Sequence, residues 1–378
     1  MGKWLTVILM VIAWGCADED AKTEVPEEVT IGTFNAGLAR GYVDHAALRV
    51  DVQLDSLKAV SQIDVLCLQE VWEPSDRSRF IEVLSDSFPF SHFESTTNDV
   101  LFADVEPQPA ACNSDEANPL AECAKPLCEG DPDIATCVLS NCGELFQAMS
   151  EACQGCAAAN IGLGDIDAIL DTCLMEGQVG YTYDGQNGLL MLSTQPIESK
   201  SFHQFDSFLT SRGVLSGRTH GVDVYCTHLT SRLSNPAYSG AYSSYAEENA
   251  AQIDALLDVV GSASSEGVVA LAGDFNTGPM VGELSGELED NFNKLVSDGW
   301  WNQNTESDMP VCTWCSENLI TGGAADEAID HVFVKGAEPS RVMRFFDEPI
   351  ELQDAEGNTF MSSYSDHFGL LVSIPKPE

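Results

Sequence analysis

Apolar and polar residues alternate along the chain in a pattern that predicts buried strands separated by amphipathic helices. The segments VTIGTFNAG (29–37), IDVLCLQEVW (63–72) and GVVALAGDFN (267–276) are short apolar runs that end at polar residues. Between the first two, Leu48, Leu54, Leu57 and Val60 recur at helical spacing, and Asp44 is the expected N-cap. Strands that alternate with helices predict a layered α/β sandwich built around one catalytic domain.

The same alternation returns in the second half of the chain. Further strands are predicted in NGLLMLSTQPI (187–197), GVLSGRTHGVDVYCTHL (213–229), IDHVFVKG (329–336) and SSYSDHFGLLVSI (362–374), with helices over 75–88 and 244–260. The segment 108–178 interrupts the pattern, because it is rich in Cys, Pro and Ala and carries only short helical stretches. We therefore expect a catalytic domain over 29–375 with an insertion over 108–178.

The first residues, MGKWLTVILMVIAWGC, combine a lysine, an apolar run too short to span a bilayer, and a closing cysteine. This layout predicts a secretory signal over 1–16, and its end resembles the lipobox of bacterial lipoproteins, which implies lipidation of Cys16. An ordinary cleaved signal is the alternative, and MGKWLT also fits N-myristoylation. The acidic stretch 17–28 is expected to be a linker. The protein would then be exported and anchored at the outer membrane or cell surface, or else secreted.

Thirteen cysteines divide into groups with different expected roles. Eight of them, from Cys112 to Cys173, lie in the insertion. Such a dense, even set in an exported chain predicts disulfides, whose pairing the sequence leaves open. Cys67 and Cys226 lie inside apolar strands and are expected to be small buried hydrophobic side chains. The spacing of CQGC and CTWC also fits a zinc site, which an oxidising compartment disfavours.

The net charge of −43, from 60 acidic and 17 basic residues, disfavours binding to polyanions. Non-specific nucleic-acid binding requires Lys and Arg side chains that displace counterions from phosphates. The sequence also lacks a basic cluster with interleaved aromatic residues that would follow a nucleic-acid strand. Nucleic acid is therefore the less favoured partner.

Most predicted strands end or begin at polar residues that can take part in chemistry. They are Asn35, Glu70, His228, Asp274, Asn276, Asp330, His331, Asp366 and His367. Each has an ordinary explanation by itself, since Glu70 could cap a helix and His228 could be a core histidine bonded to a carbonyl. Together, at one end of a sheet, they predict an acidic pocket that also contains imidazole groups.

These strand ends carry motifs that resemble a known superfamily. TFN, LQEVW, GLLMLSTQPI, THL, GDFN, IDHVFV and SDHFGL occur in the order used by the endonuclease/exonuclease/phosphatase superfamily. That superfamily includes deoxyribonuclease I, abasic-site endonucleases, inositol-phosphate phosphatases and neutral sphingomyelinases. The resemblance covers 29–107 and 179–375, and it implies a four-layer α/β/β/α sandwich of the deoxyribonuclease I type with a disulfide-rich insertion.

The resemblance also implies a reaction, the hydrolysis of a phosphoester by water, with Mg²⁺ or Mn²⁺ as the cofactor. Glu70 would be the carboxylate ligand with Asn35 beside it, and Asp366 would lie next to the metal or the phosphate. Oxygen ligands of this kind suit Mg²⁺, which keeps several of its waters. His367 would polarise the attacking water while Asp330 holds its ring.

Four further residues acquire expected roles in the same way. Asp274 and Asn276 would position the nucleophile and the phosphate. His228 would contact the phosphate and help the leaving oxygen depart, and Asn187 would bind substrate. The cation would offset charge on the phosphoryl oxygens.

The substrate is expected to be a phospholipid head group or a small phosphodiester. CTWCSENLI resembles a stretch of neutral sphingomyelinases, and the predicted lipid anchor and acidic charge agree with a lipid substrate. An exported nuclease is the alternative. A non-catalytic surface protein, whose insertion binds an unidentified partner, is a second alternative. The loop 231–248, with Tyr238, Tyr242 and Tyr245, is either a substrate-side loop or a surface loop packed by its tyrosines.

Overall fold

The computed structural model describes residues 27–60, 62–177, 180–262, 267–306 and 310–377. The predicted signal, the expected lipid site Cys16 and residues 17–26 of the predicted linker lie outside these ranges. Within them, no helix is both long enough and apolar enough to cross a bilayer.

Thirteen strands and ten α-helices form the described part of the chain. The strands are β1 (Glu28–Asn35), β2 (Val65–Gln69), β3 (Phe90–His92), β4 (Leu190–Ser193), β5 (Glu198–Phe205), β6 (Arg212–Thr219), β7 (Val222–His228), β8 (Val268–Asp274), β9 (Asp330–Lys335), β10 (Arg341–Phe345), β11 (Ile350–Gln353), β12 (Thr359–Ser362) and β13 (Gly369–Pro375). The helices are α1 (Ala46–Ala59), α2 (Pro74–Val83), α3 (Asn98–Leu101), α4 (Ser114–Cys128), α5 (Ile134–Gln147), α6 (Glu151–Ala159), α7 (Ile166–Leu174), α8 (Tyr245–Ser262), α9 (Glu289–Ser297) and α10 (Gln303–Glu306). Short 3₁₀ turns occupy Ile161–Leu163 and Tyr183–Gly185.

Two large sheets make the body of the domain. One is six-stranded, in the order β10-β13-β1-β2-β4-β3, and the other is five-stranded, in the order β5-β6-β7-β8-β9. β1 runs parallel to β2, and β7 runs parallel to β8, so that Asn35 pairs with Gln69 and His228 with Asp274. β9 is antiparallel to β8 and begins beside its end, where Asp330 pairs with Asp274. The polar strand ends therefore lie at the same edge of each sheet.

The sheets face each other across an apolar inner core, and helices cover their outer faces. The inner core joins side chains such as Ile31 of β1 with Val224 of β7 and Val332 of β9. On the first sheet, α1 and α2 contribute Leu54, Leu57 and Phe80 to an outer core. On the second, α8 and α9 contribute residues such as Ile253 and Phe292. This arrangement confirms the predicted four-layer sandwich.

Helix α1 differs from its prediction in both cap and face. It begins at Ala46 with His45 as N-cap, and no side chain caps it, so the role expected for Asp44 is wrong. Leu48 is 36% exposed, whereas Arg49 and Gln53 are buried. The reason lies in the loop after β1. Arg49 donates to the carbonyl of Gly37, and Gln53 donates to that of Ala36 at 2.7 Å.

The insertion is a helical module with its own core, built from α4 to α7. Gln108 and Gly177 exchange two backbone hydrogen bonds, of 2.9 and 3.0 Å, at its neck. Its eight cysteines form four disulfides, Cys112–Cys153, Cys123–Cys142, Cys128–Cys137 and Cys156–Cys173. The predicted disulfide-rich insertion is confirmed. An apolar cavity of about 70 Å³ between the insertion and Tyr42, Asn235 and Pro236 of the domain shares no lining residue with the site described below.

The pairing corrects the role expected for Cys67 and Cys226 and contradicts the disfavoured alternative of a zinc site. Cys67 and Cys226 are fully buried as expected, but they form a disulfide with a Cα–Cα distance of 5.5 Å. They lie on β2 and β7, in different sheets, and meet across the inner core, which local sequence does not reveal. A zinc site is also contradicted, because the cysteines of CQGC enter two separate disulfides and Cys312 pairs with Cys315.

Candidate active site

The polar strand ends converge because four of them lie on the same strand faces as the side chains of the inner core. Side chains two residues apart on a strand lie on the same face. Asn35 continues the face of Ile31, and Asp330 continues that of Val332. His228 and Asp274 extend the inner face of β7 and β8 in the same way. All four are buried, so the two sheets bring one amide, two carboxylates and one imidazole together where their apolar core ends.

Glu70 reaches this pocket through a left-handed backbone. It follows β2 with φ 60°, a conformation that non-glycine residues adopt rarely and that often marks functional sites. Its Oε1 accepts a hydrogen bond from Asn35 Nδ2 at 3.3 Å. Its Oε2 is buried without a hydrogen-bond partner among the described residues. Burial, together with the charge of Asp366, raises the pKa of Glu70.

Asn35 is at the centre of the pocket. Its Nδ2 also donates to Asp274 Oδ2 at 3.0 Å and lies 3.5 Å from His367 Nε2. Its Oδ1 accepts from the backbone N–H of Gly37 at 3.0 Å. A Cβ at Gly37, whose φ is +56°, would lie 2.4 Å from Asp366 Oδ1, so the turn requires glycine.

His367 and Asp330 form a close pair. His367 Nδ1 lies 2.7 Å from Asp330 Oδ2, which fixes the ring and leaves Nε2 facing Asp274 Oδ2 at 3.9 Å. Burial alone would lower the pKa of His367, but the charges of Asp330 and Asp274 raise it well above its ordinary value. The two carboxylates therefore make His367 a stronger base than an ordinary histidine.

His228 has the opposite electrostatic character. Its Nε2 lies 3.4 Å from Asp274 Oδ2, and its Nδ1 is buried with no partner in the described ranges. Burial holds the pKa of His228 well below its ordinary value, and the charges of Arg212 and His367 act in the same direction. Burial and the charge of Asp330 raise the pKa of Asp274 to about 7. The pKa values of the two histidines are thus shifted in opposite directions on either side of Asp274.

Two more predicted residues complete the pocket. Asn276, with φ 50°, donates its backbone N–H to Asp274 Oδ1 at 2.9 Å and its Nδ2 to the carbonyl of Leu229 at 2.9 Å. Asp366 accepts from Ser365 Oγ at 2.9 Å and is nearly buried. The structure therefore brings together eight predicted residues: Asn35, Glu70, His228, Asp274, Asn276, Asp330, Asp366 and His367.

His331 does not join them, which corrects its place among the pocket residues. It lies on the opposite face of β9, where its Nε2 donates to the carbonyl of Thr277 at 2.8 Å. Its Nδ1 accepts from Asn302 at 3.1 Å, and its ring packs beside Phe333 in the outer core. Successive side chains on a strand point to opposite faces, so Asp330 and His331 cannot both face the pocket.

Asn187 and the tyrosine loop are held by local contacts. Asn187 donates to the carbonyl of Glu94 and accepts from the backbone N–H of Leu189, both at 3.0 Å, and its substrate-binding role stays a prediction. Tyr238 donates to Glu248 at 2.8 Å, and Tyr245 donates to the carbonyl of Pro236 at 3.0 Å. These bonds favour a surface loop packed by its tyrosines.

Sequence reasoning missed Arg212, a cation at the start of β6. It is only 7% exposed, and its Cζ lies 5.8 Å from the ring centroid of Trp72. Its Nε and Nη1 are buried without hydrogen-bond partners among the residues described. Burial lowers its pKa, while the charges of Glu70 and Asp274 oppose that effect. Only its position just before a predicted strand could have drawn attention to it.

The donor atoms fit a hard divalent cation. A buried carboxylate oxygen with no partner, as on Glu70, is costly unless a cation or donor satisfies it. Glu70 and Asp366 supply the oxygen ligands that Mg²⁺ prefers. Asn35 suits this role less in the orientation found, because its Oδ1 is bonded to Gly37. The ligand atoms of Asp274, Asp330 and His367 lie within 4.8 Å of one another, but there the imidazole fills the space between the carboxylates.

The sequence profile described as the Endonuclease/Exonuclease/phosphatase family matches residues 32–367. The chain belongs to this family. Its fold is similar to sphingomyelinase C from Streptomyces griseocarneus, at TM-score 0.50 and 15% identity, over 92% of this chain and 99% of that one. It is also similar to a beta toxin variant from Staphylococcus aureus with bound magnesium ions, at TM-score 0.52 and 13% identity, over 92% and 99%.

A third similar structure is D. rerio TDP2 complexed with a single-strand DNA product, at TM-score 0.50 and 13% identity, over 92% of this chain and 98% of that one. At such low identities these similarities show the fold alone. No curated protein matches the chain. Family membership and the converging residues together identify a hydrolase of phosphoester bonds.

Proposed function

We propose that the protein is a divalent-cation-dependent phosphodiesterase that acts on a phospholipid head group or a small phosphodiester. The observation that carries this proposal is the His367–Asp330 pair, at 2.7 Å, facing Asp274 and His228 across one pocket. Such a pocket holds a group that can take a proton from water beside groups that can bind a phosphate.

In its neutral form, His367 would take a proton from the attacking water at Nε2, and its raised pKa makes this nitrogen a stronger proton acceptor. Asp330, bonded to Nδ1, keeps the ring in one orientation and stabilises the imidazolium that forms. Asp274, held by Asn35 and by the N–H of Asn276, would position the water.

His228, kept neutral by burial, would donate a hydrogen bond to the phosphate and assist departure of the leaving oxygen. Arg212, whose buried N–H groups lack partners in the described part of the chain, would bind a phosphoryl oxygen. Glu70 and Asp366 would hold Mg²⁺ or Mn²⁺, which supplies positive charge that offsets the phosphoryl oxygens.

Charge supports a lipid or small substrate over nucleic acid. A protein with net charge −43 repels a polyanion, and the site itself is rich in carboxylates. Sphingomyelinase C, one of the similar structures, is named for a lipid substrate. The N-terminal pattern supports export and a lipid anchor at Cys16, which would place the site beside a membrane. TDP2 with its DNA product makes a nuclease the second candidate.

Assays on four substrates test the proposal. Sphingomyelin, phosphatidylinositol phosphates, DNA and bis-p-nitrophenyl phosphate are incubated with the protein with and without Mg²⁺, and with His367→Ala as the control. We expect Mg²⁺-dependent release of product from bis-p-nitrophenyl phosphate and from one lipid, and none with the variant. Preferential cleavage of DNA would replace the lipid proposal with the nuclease.

A further inference from the structure

A disulfide outside the insertion closes a tight loop against the catalytic pair. Cys312 and Cys315 are bonded three positions apart, so the two residues between them, Thr313 and Trp314, have little freedom. Both of these residues contact the segments that carry His367 and Asp330. Neither the metal chemistry nor the proton transfer derived above uses them.

Thr313 binds the backbone on both sides of the pair. Its Oγ1 accepts hydrogen bonds from the N–H of Asp330 at 3.0 Å and of Ile329 at 3.2 Å. Its carbonyl accepts from the N–H of Phe368, the residue after His367, at 2.8 Å. Thr313 is fully buried, so these bonds are shielded from water. One residue therefore connects the start of β9 to the segment before β13.

Trp314 restrains the ring of the histidine. Its ring lies edge-on to His367, with centroids 5.0 Å apart and planes at 73°. Its backbone forms a bridge with Glu327, which fixes the indole with respect to β9. The same loop continues into Asn318, whose Nδ2 donates to the carbonyl of Ser365 at 2.8 Å. The loop thus contacts the segment around His367 at three points.

We propose that Thr313, held in place by the Cys312–Cys315 disulfide, is a positioning residue for the His367–Asp330 pair. It acts by fixing the separation of β9 and the segment before β13, and hence the hydrogen bond between the two side chains. The expected effect of Thr313 on turnover rests on the proposed function. The hydrogen bond between His367 and Asp330 can be observed without any substrate.

The disulfide is also placed where a reductant can open it. Cys312 lines a solvent-accessible cleft of about 560 Å³, whereas Cys315 is fully buried. Arg344 Nη1 lies 3.3 Å from Cys312 Sγ and 3.5 Å from Cys315 Sγ. A neighbouring guanidinium stabilises a thiolate, which makes it a better leaving group in thiol–disulfide exchange.

The exchange balances with an external dithiol as the reductant. One thiolate of the dithiol attacks Cys312 Sγ, the S–S bond breaks, and its electron pair passes to Cys315 Sγ beside Arg344. The second thiol of the reagent then displaces Cys312, so that both cysteines end as thiols and the reagent is oxidised to its cyclic disulfide. Without the disulfide, the loop could move Thr313 away from the backbone segments that carry Asp330 and His367.

The first test compares Thr313→Val with Thr313→Ser. Valine keeps the shape but removes the acceptor for two buried N–H groups, whereas serine keeps the hydroxyl. We expect Val to lower kcat at least tenfold with KM within about twofold, and Ser to restore most of the loss. In ¹H NMR spectra without substrate, the downfield proton on His367 Nδ1 should shift or broaden with Val and keep its parent position with Ser.

These two readouts separate the possible failures. An unmoved imidazole proton in Thr313→Val, in a protein that melts as a folded domain, would overturn the positioning role whatever the activity. Equal damage by Ser and Val would also overturn it, because the hydroxyl would then not matter. Absence of all phosphodiesterase activity in the parent would refute the proposed function while the NMR comparison still decides the role of Thr313.

The second test opens the disulfide under native conditions. The full chain is treated with increasing dithiothreitol, free thiols are alkylated and mapped by mass spectrometry, and kcat is measured on the same samples. We expect activity to fall in proportion to alkylation of Cys312 and Cys315, before the insertion disulfides open. The variant C312S/C315S should show a reduced kcat that mild dithiothreitol does not change. Full kcat with both cysteines alkylated would overturn the proposal.

Discussion

His367 and Asp330 lie 37 positions apart in the chain, and His367 Nδ1 lies 2.7 Å from Asp330 Oδ2. Asp330 begins β9 in the five-stranded sheet, and His367 comes just before β13 in the six-stranded sheet. Their hydrogen bond therefore joins the two sheets at the end of the inner core. Any chemistry that depends on this pair depends on how the sheets pack.

If the pair acts as a unit, its two residues should not contribute additively to turnover. Asp330→Asn and His367→Ala should each lower kcat by a factor of roughly 100 to 10,000, the usual range for general acid–base groups. The kcat of the double variant should be only slightly lower than that of the less active single variant. Steady-state kinetics on a soluble diester measures all three, and His203→Ala, an exposed histidine on β5, is the matched control.

Additive losses in this cycle would show that the two residues act independently. The water-activating role would then have to pass to another group. His228 is the first candidate, because its Nε2 also lies near Asp274, at 3.4 Å.

Glu70→Gln should weaken cation binding before it affects anything else. The change keeps the size of the side chain and removes the charge that a hard cation requires. We expect the affinity for Mg²⁺, measured by calorimetry without substrate, to fall at least tenfold, and turnover at low Mg²⁺ to fall by orders of magnitude. Glu73→Gln, three residues along the same segment, should leave both unchanged. Unaltered Mg²⁺ affinity in Glu70→Gln would remove Glu70 from the ligand set.

Arg212 should matter for the substrate rather than for the fold of the site. Its buried N–H groups have no partner within the described residues, so a phosphate is the group that would satisfy them. Arg212→Gln should lower kcat/KM at least tenfold, and Arg212→Lys should recover part of the loss because it keeps the charge without the planar fork. Arg218→Gln, at the far end of β6 and paired with Asp223, is the control. Equal effects of the two glutamine variants would exclude a specific role for Arg212.

The sequence predicts the site residues well where the alternation of side chains along a strand and the order of the motifs identify them. Asn35 and Asp274 end apolar runs, and Asp330 begins one, and the inner faces of these runs can be counted from the sequence. The same count would have excluded His331, which lies one residue off the inner face of β9.

The remaining features depend on which surfaces face each other, and local pattern does not contain that information. Cys67 and Cys226 are each correctly predicted as buried, but their disulfide arises only because β2 and β7 lie opposite across the core. Arg49 and Arg212 are ordinary arginines in sequence, and only the packed fold places them behind and beside the acidic pocket.

Removing the disulfide between the sheets should lower stability more than removing a short one. Cys67–Cys226 closes a span of 159 residues, whereas Cys128–Cys137 closes 9. In the chain-entropy description, the long span stabilises by about 5 kcal/mol and the short one by about 2–3 kcal/mol. Denaturant unfolding of C67A/C226A and C128A/C137A measures both. A smaller loss for the double alanine variant in the core would mean that the crosslink does not constrain the unfolded chain.

His331 should make the protein less stable as pH falls. Burial lowers its pKa to about 4, and its neutral ring is fully used by Thr277 and Asn302. Between the ordinary histidine pKa near 6.5 and about 4, the unfolded chain takes up a proton that the folded chain does not. This difference lowers the free energy of unfolding by about 1.4 kcal/mol per pH unit, or about 3 kcal/mol over the window.

The variant His331→Gln isolates this contribution from those of the many carboxylates. Glutamine can still donate to Thr277 but does not titrate, so the variant should be less stable than the parent at pH 7 and should lose less stability between pH 6.5 and 4. Urea unfolding at closely spaced pH values measures the slope for parent, His331→Gln and the exposed control His203→Gln. The control should keep the parent slope. If His331→Gln kept it as well, the buried imidazole would not be the group that takes up the proton on unfolding, and its hydrogen bonds to Thr277 and Asn302 would not hold it neutral.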